Sequence, residues 1–151
     1  MADKPIGNKG FITEMDIRLF MRDLDPSMNY LLDDVEFDSE EIRTAMTHTV
    51  DKFNDTPPFI LTPNGKNGYT VSDFPFRSPL LRGTIANLLF IAAHRFRRNA
   101  LKYNVPGGAV ADQEKFQEYD HAATELWKEY NSWVAHTKRA MNMEQGWAMI
   151  S

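Results

Sequence analysis

The chain is 151 residues long, with 42% hydrophobic and 25% charged side chains and no cysteine. That composition suits one domain with one core and excludes wholesale disorder, a fibrous repeat, a disulfide framework and thiolate metal sites. Seventeen basic against twenty-one acidic residues give a formal charge of -4, which argues against a dedicated nucleic-acid binder that works by neutralising phosphates.

Residues 1–12 hold Pro5, Gly7 and Gly10 with two lysines, which disfavours regular structure and predicts a flexible or partner-ordered arm. There is no apolar signal core here, and the longest apolar run, Leu88 to Ala93, is too short to span a bilayer, so a soluble, unexported protein is expected. A core domain is expected over 13–141. It opens with a short helix from Thr13, a capping-type residue, with Met15, Leu19 and Phe20 as its apolar stripe and Ile17 adding width; Asp25-Pro26 should stop it. Residues 29–37 read as a loop with apolar anchors. Asp38 to Glu41 then gives a capping box, in which Asp38 accepts from the third amide and Glu41 reaches back. The second helix carries Ile42, Met46, Val50 and Phe53 on one stripe, with Ala45 and Thr49 beside it, and ends before Pro57-Pro58.

Phe59 to Thr62 and Tyr69 to Val71 are β-favouring runs around two Asn-Gly pairs, so a β-hairpin is expected near 59–71. Two strands alone are marginal in water, and this hairpin should lean on the helices or add strands from a neighbouring copy. Ser78-Pro79 reads as a cap followed by proline at the first helical position, opening a central core helix to about Asn104 with a wide apolar face from Leu81 to Phe96. Asp112 then caps a last helix. Its Phe116, Tyr119, Ala123, Leu126, Tyr130 and Trp133, continued by Thr137 and Ala140, alternate steps of three and four as a packing seam. Trp127, Val134 and Met141 widen that seam beyond what one antiparallel partner needs, which leaves room for another subunit. The fold class expected is mainly α: a helical bundle with two long C-terminal helices, one β-hairpin and extended N- and C-terminal arms.

Residues 142–151 form an apolar tail hinged at Gly146. Trp147, Met149 and Ile150 stand beyond the last helical signal, where three large apolar side chains must fold back or dock. Docking on another polypeptide is the expectation.

No other constellation competes. The four histidines sit on three helices without a metal-binding spacing, and the acidic run 33–41 lacks the central glycine of a calcium loop. No nucleophile setting or phosphate loop is present, so neither an enzyme nor a cofactor is expected. Arg95, Arg97, Arg98 and Lys102 make the densest basic cluster. One reading places these cations at a helix C-terminus, where the dipole favours them; the other makes them a patch for an acidic partner or for passing DNA.

The order of elements, with Phe74 to Gly83, Tyr103-Asn104, Asp112 to Lys115, Glu129-Tyr130 and Lys138 to Asn142, resembles the head-to-tail connector (neck adaptor) proteins of tailed bacteriophages. The resemblance covers about half the chain. It implies a virion neck protein, made in the host cytoplasm, that forms a ring with itself, twelve-fold by resemblance. Such a ring binds the portal protein on one side and a downstream neck or tail protein on the other, lines the DNA exit channel with transient contact to DNA, and touches no membrane. Two alternatives stand beside it: a tail-completion or baseplate ring protein, and a small helical dimeric enzyme or regulator.

Overall fold

A computed structural model describes residues 12–21, 37–62, 68–102 and 108–150. Among them the chain is mainly helical, with α1 at Glu14–Met21, α2 at Ser39–Asp55, α3 at Arg77–Lys102 and α4 at Gly108–Ile150.

α1 starts where its capping residue places it. The Thr13 hydroxyl accepts from the Asp16 amide at 3.2 Å while the Asp16 carboxylate accepts from the Thr13 amide at 2.9 Å, a reciprocal box that satisfies two otherwise unpaired donors. Its buried face differs from the expected stripe. Ile17 is fully buried, whereas Met15, Leu19 and Phe20 are 48%, 56% and 64% exposed. Polar ties on the Ile17 side fix the rotation of so short a helix: Ser39 donates to Glu14 at 2.7 Å, Arg18 donates to the Phe37 carbonyl at 2.8 Å, and Asp16 pairs with Arg77 at 3.4 Å. The Ser39 hydroxyl holds the Glu14 carboxyl below its ordinary value, with Arg18 assisting against the effect of burial. Ile12, assigned to the arm by composition, is buried in the core; the rest of that arm lies outside the described residues. Phe37 is buried too, as an anchor before α2.

Asp38 caps α2, accepting from the Glu41 amide at 2.7 Å. The return half of the box is not made, because Glu41 turns across to α3 and pairs with Arg95 at 2.8 Å. Ile42, Ala45, Met46, Thr49, Val50 and Phe53 are all buried, so the stripe lies where its spacing put it. α2 ends on Thr56, whose amide donates to the Phe53 carbonyl and whose hydroxyl donates to the Lys52 carbonyl, and the Pro57-Pro58 bond that follows is cis.

α3 touches each of the other three helices. It begins at Arg77, with the Leu80 amide donating to the Phe76 carbonyl at 3.1 Å, so Ser78 and Pro79 lie within its first turn and Ser78 is not the cap. Burial of Leu80, Ile85, Leu88 and Ala92 on one side and of Ala86 and Ala93 on another follows from small residues that let neighbours approach from several directions.

α4 begins at Gly108 rather than Asp112, and it runs antiparallel to α3. Phe96 stacks on Tyr119 at 5.3 Å near one end of the pair, and Phe76 meets Trp133 edge-on at 5.0 Å near the other. At 43 residues against 26, α4 is about 64 Å long and α3 about 39 Å. The last turns of α4 therefore continue past the start of α3. α2 lies beside both: Thr49 accepts through its carbonyl from Tyr130 at 2.5 Å, and His48 stacks on Trp127 at 5.7 Å. Ala123, Tyr130, Val134 and Lys138 form the buried line of α4; Tyr119, Leu126, Trp133 and Thr137 of the expected seam are half-buried, and Ala140 is exposed.

The hairpin expected near 59–71 does not appear. Residues 59–62 and 68–71 carry no strand, and 63–67 lie outside the described residues. Side-chain amides take the place of a ladder. Asn54 at the end of α2 donates to the Tyr69 carbonyl and accepts from the Tyr69 amide, both at 2.9 Å. Gln145 on α4 donates to the Leu61 carbonyl at 2.8 Å and accepts from the Leu61 amide at 3.4 Å. At Leu61 and at Tyr69 the backbone amide and carbonyl are thus both satisfied from a helix, which removes those groups from cross-strand pairing.

A candidate docking surface at the end of α4

The C-terminal residues are not an extended arm. α4 runs without a break through Gly146 to Ile150, since Ala, Met, Glu, Gln and Trp there are compatible with a helix that is already nucleated and a single glycine lowers its stability by only about 1 kcal/mol. The side chains of Met149 and Ile150 lie outside the described residues; Trp147 is 68% exposed and Met143, one turn before it, 61% exposed. Spaced by four, the two share one face of the helix.

Gln145 stands between them and points elsewhere. Its amide clamps Leu61, so the 59–62 segment runs beside the last turns of α4. In that segment Ile60 and Thr62 are buried while Phe59 and Leu61 are 69% and 63% exposed, the alternation of an extended chain. A position two residues from Gln145 is turned about 200° around the helix. Met143 and Trp147 therefore occupy the side of α4 away from Phe59 and Leu61. Large apolar groups thus flank the helix end on two sides, a shape that suits insertion into a groove better than contact with a flat surface.

The base of this end is packed around a buried lysine. Lys138 is 2% exposed, donates to the Asn54 carbonyl at 3.5 Å, and lies over the rings of Phe53 at 4.8 Å and Phe59 at 5.9 Å. Its ammonium thus meets the carbonyl end of α2, where the helix dipole favours a cation. Burial nonetheless pushes its pKa down, against a smaller upward pull from Asp55. Phe53 in turn packs with Phe74, Phe76 and Trp133 in an aromatic cluster whose centroid separations run from 5.0 to 5.7 Å. Sequence reading missed Lys138, Asn54 and Gln145. The signal for Lys138 was its place at i, i+4 from Val134 on the buried line.

The basic cluster is dispersed. Arg95 faces α2, pairing with Glu41 and lying 5.8 Å from the Phe37 ring, whereas Arg97 lies 5.6 Å from Phe116 of α4. Arg98 is exposed, and the Lys102 side chain lies outside the described residues. Arg95 and Arg97 serve packing on different sides of α3, so the four do not form one described patch. His94, His121 and His136 are exposed and apart from the stacked His48. Among the described residues no group of three acids or histidines is placed to hold a metal ion, and no helix is long and apolar enough to cross a membrane.

No protein-family model, curated protein or solved structure matches this chain. Its function is therefore argued from its own surface.

Proposed function

We propose that this chain is a structural subunit that assembles by inserting the end of α4 into an apolar groove of another polypeptide. The observation that carries the reading is the pair Met143 and Trp147, exposed one turn apart on a helix that outruns its own bundle. Burying a tryptophan and a methionine contributes several kcal/mol at about 25 cal/mol per Å², and repetition around a closed assembly multiplies the effect.

The resemblance of Phe74 to Gly83 and of the α4 motifs to neck adaptors gives the proposal its specific form: a virion component of a tailed phage that joins portal to tail as a ring around the DNA exit channel. The two-sided apolar helix end supports this form, because a portal-binding segment has to seat in a groove. Negative-stain imaging of the full chain mixed with portal protein tests it. A ring on the portal is the expected result, and removal of residues 142–151 should abolish it. A ring with no portal affinity would move the reading to a tail-completion or baseplate protein, and no ring at all would refute it.

A further inference from the structure

The outer side of α4 carries a second stripe, distinct from the buried line of Ala123, Tyr130 and Val134. Steps of three and four from Tyr119 to Trp147 trace it, the spacing of a helix-pairing seam. Tyr119, Leu126 and Trp133 on it are half-buried, with Tyr119 stacked on Phe96 of α3, while Ala122, Glu129, His136, Ala140, Met143 and Trp147 are exposed. Two open clefts lie along it between α3 and α4. One of about 370 Å³ is bordered by Phe96, Tyr119 and Ala122, and one of about 620 Å³ by Arg82, Glu129, Trp133 and His136.

We propose that a second copy of this chain covers this stripe, its α4 packed antiparallel on the first about a two-fold axis at the level of Trp133. The pattern of size and charge selects that direction. In this register Glu129 faces His136 of the second copy, and Ala122 faces Met143. Leu126 likewise faces Ala140, so Met143 and Leu126 each meet an alanine, while Trp133 meets its own copy at the axis and Tyr119 meets Trp147 at both ends as aromatic pairs. A parallel pairing would set Glu129 against Glu129 and alanine against alanine, leaving a like-charge contact and gaps. Arg82 borders the same cleft and adds a cation beside the incoming carboxylate. Because the axis is two-fold, every contact occurs twice. The pairing rests on the reading of α4 as a docking surface and assigns an occupant to that surface when the chain is alone in solution.

The absence of cysteine makes a clean test available. Ser132 is exposed and flanks the proposed axis, so mild oxidation of Ser132→Cys should link two full-length chains, as a disulfide needs Cα atoms within about 7 Å. Glu118→Cys, equally exposed but far from its own mate in this register, should not link. In sedimentation, Glu129→Lys should raise the dimer dissociation constant about tenfold or more, and adding His136→Glu should restore it. A wild-type chain that stays monomeric at about 100 µM, or equal linking through positions 132 and 118, would overturn the pairing. Neither result bears on portal binding by residues 142–151, so the two readings fail separately.

Discussion

Gly83 of α3 lies directly beneath the Thr49 methyl of α2, so close that a Cβ at position 83 would overlap it, and the Tyr130 ring of α4 would stand 3.1 Å from the same atom. Three helices meet at this point because one of them has no side chain there. Gly83→Ala should therefore destabilise despite the gain of up to about 1 kcal/mol in helix propensity, since the Thr49 side chain is stiff and held by the Ala45 carbonyl at 2.8 Å and by Asn87 at 3.0 Å. A net loss of about 2 kcal/mol is expected, seen as a fall in Tm of about 4 to 8 °C. Thr49→Ser, which removes the obstructing methyl and keeps the hydroxyl, should recover most of it in the double variant. Unchanged stability of Gly83→Ala would mean that the helices do not cross as described.

How much of this was legible in the sequence depends on the range of the interaction. The Asp38 cap and the Ile42 to Phe53 stripe are set by residues three and four apart, and both lie where the spacing put them. The buried face of α1 departs from its local spacing because contacts with Ser39, Phe37 and Arg77 decide it, and none of these is local. The β-favouring runs were likewise overridden by Asn54 and Gln145, two amides whose backbone targets lie 15 and 84 positions away. For the docking surface, Trp147 could be named from its place beyond the core pattern, but the helical state of its segment could not, because Gly146 and the chain end suggested fraying.

Tyr130 provides a pH signature. Its hydroxyl donates to the Thr49 carbonyl at 2.5 Å, and burial raises its pKa above the ordinary phenol value. The unfolded chain releases this proton above about pH 10 while the folded chain retains it, so the bond's contribution is complete below that pH and is lost as pH rises towards the folded value. Stability should fall by up to about 1.4 kcal/mol per pH unit from this group above pH 10. Tyr130→Phe should lower stability by about 1 to 2 kcal/mol at neutral pH and flatten that slope. Denaturant melts of both proteins at pH 8 and pH 10.5 check it; parallel curves would refute the assignment.

Lys138 should behave in the opposite sense. Its folded pKa is depressed by burial, so between that value and the unfolded value near 10.4 the unfolded chain holds more protons and stability rises with pH. Lys138→Met keeps the length of the side chain and removes a buried charge that the site only partly compensates. This variant should match or exceed wild-type Tm at pH 7 and lose the rise at alkaline pH. Lys138→Glu, which sets a carboxylate against the carbonyl end of α2, should destabilise by about 3 kcal/mol or more. A large loss in the methionine variant would show that the Asn54 and ring contacts outweigh desolvation.

The Gln145 clamp is exposed, and its removal should act locally. Gln145→Ala frees the Leu61 amide and carbonyl to water, with a change in global stability under about 1 kcal/mol. Hydrogen exchange at the Leu61 amide should accelerate while exchange in the middle of α3 stays constant. Equal protection in both proteins would place the partner of Leu61 elsewhere.

Trp147 and Gly146 together separate a docking helix from a hinged tail. Trp147 is 68% exposed and a Cβ at Gly146 would meet nothing within 4 Å, so neither position contributes much to the folded monomer. Trp147→Glu should leave Tm unchanged to within about 0.5 kcal/mol, yet it places a charge in the proposed groove and should abolish joining to the partner. Gly146→Ala should stabilise the last turns by up to about 1 kcal/mol. If the segment docks as the helix seen here, that variant binds as tightly as wild type or more tightly, because less order remains to be imposed on binding. Gly146→Pro interrupts the helix and should weaken binding even though Trp147 is intact. Calorimetric titration of the three variants against purified portal protein provides the comparison. Stronger binding by the proline variant would show that the segment docks unwound, and undiminished binding by Trp147→Glu would remove α4's end from the interface.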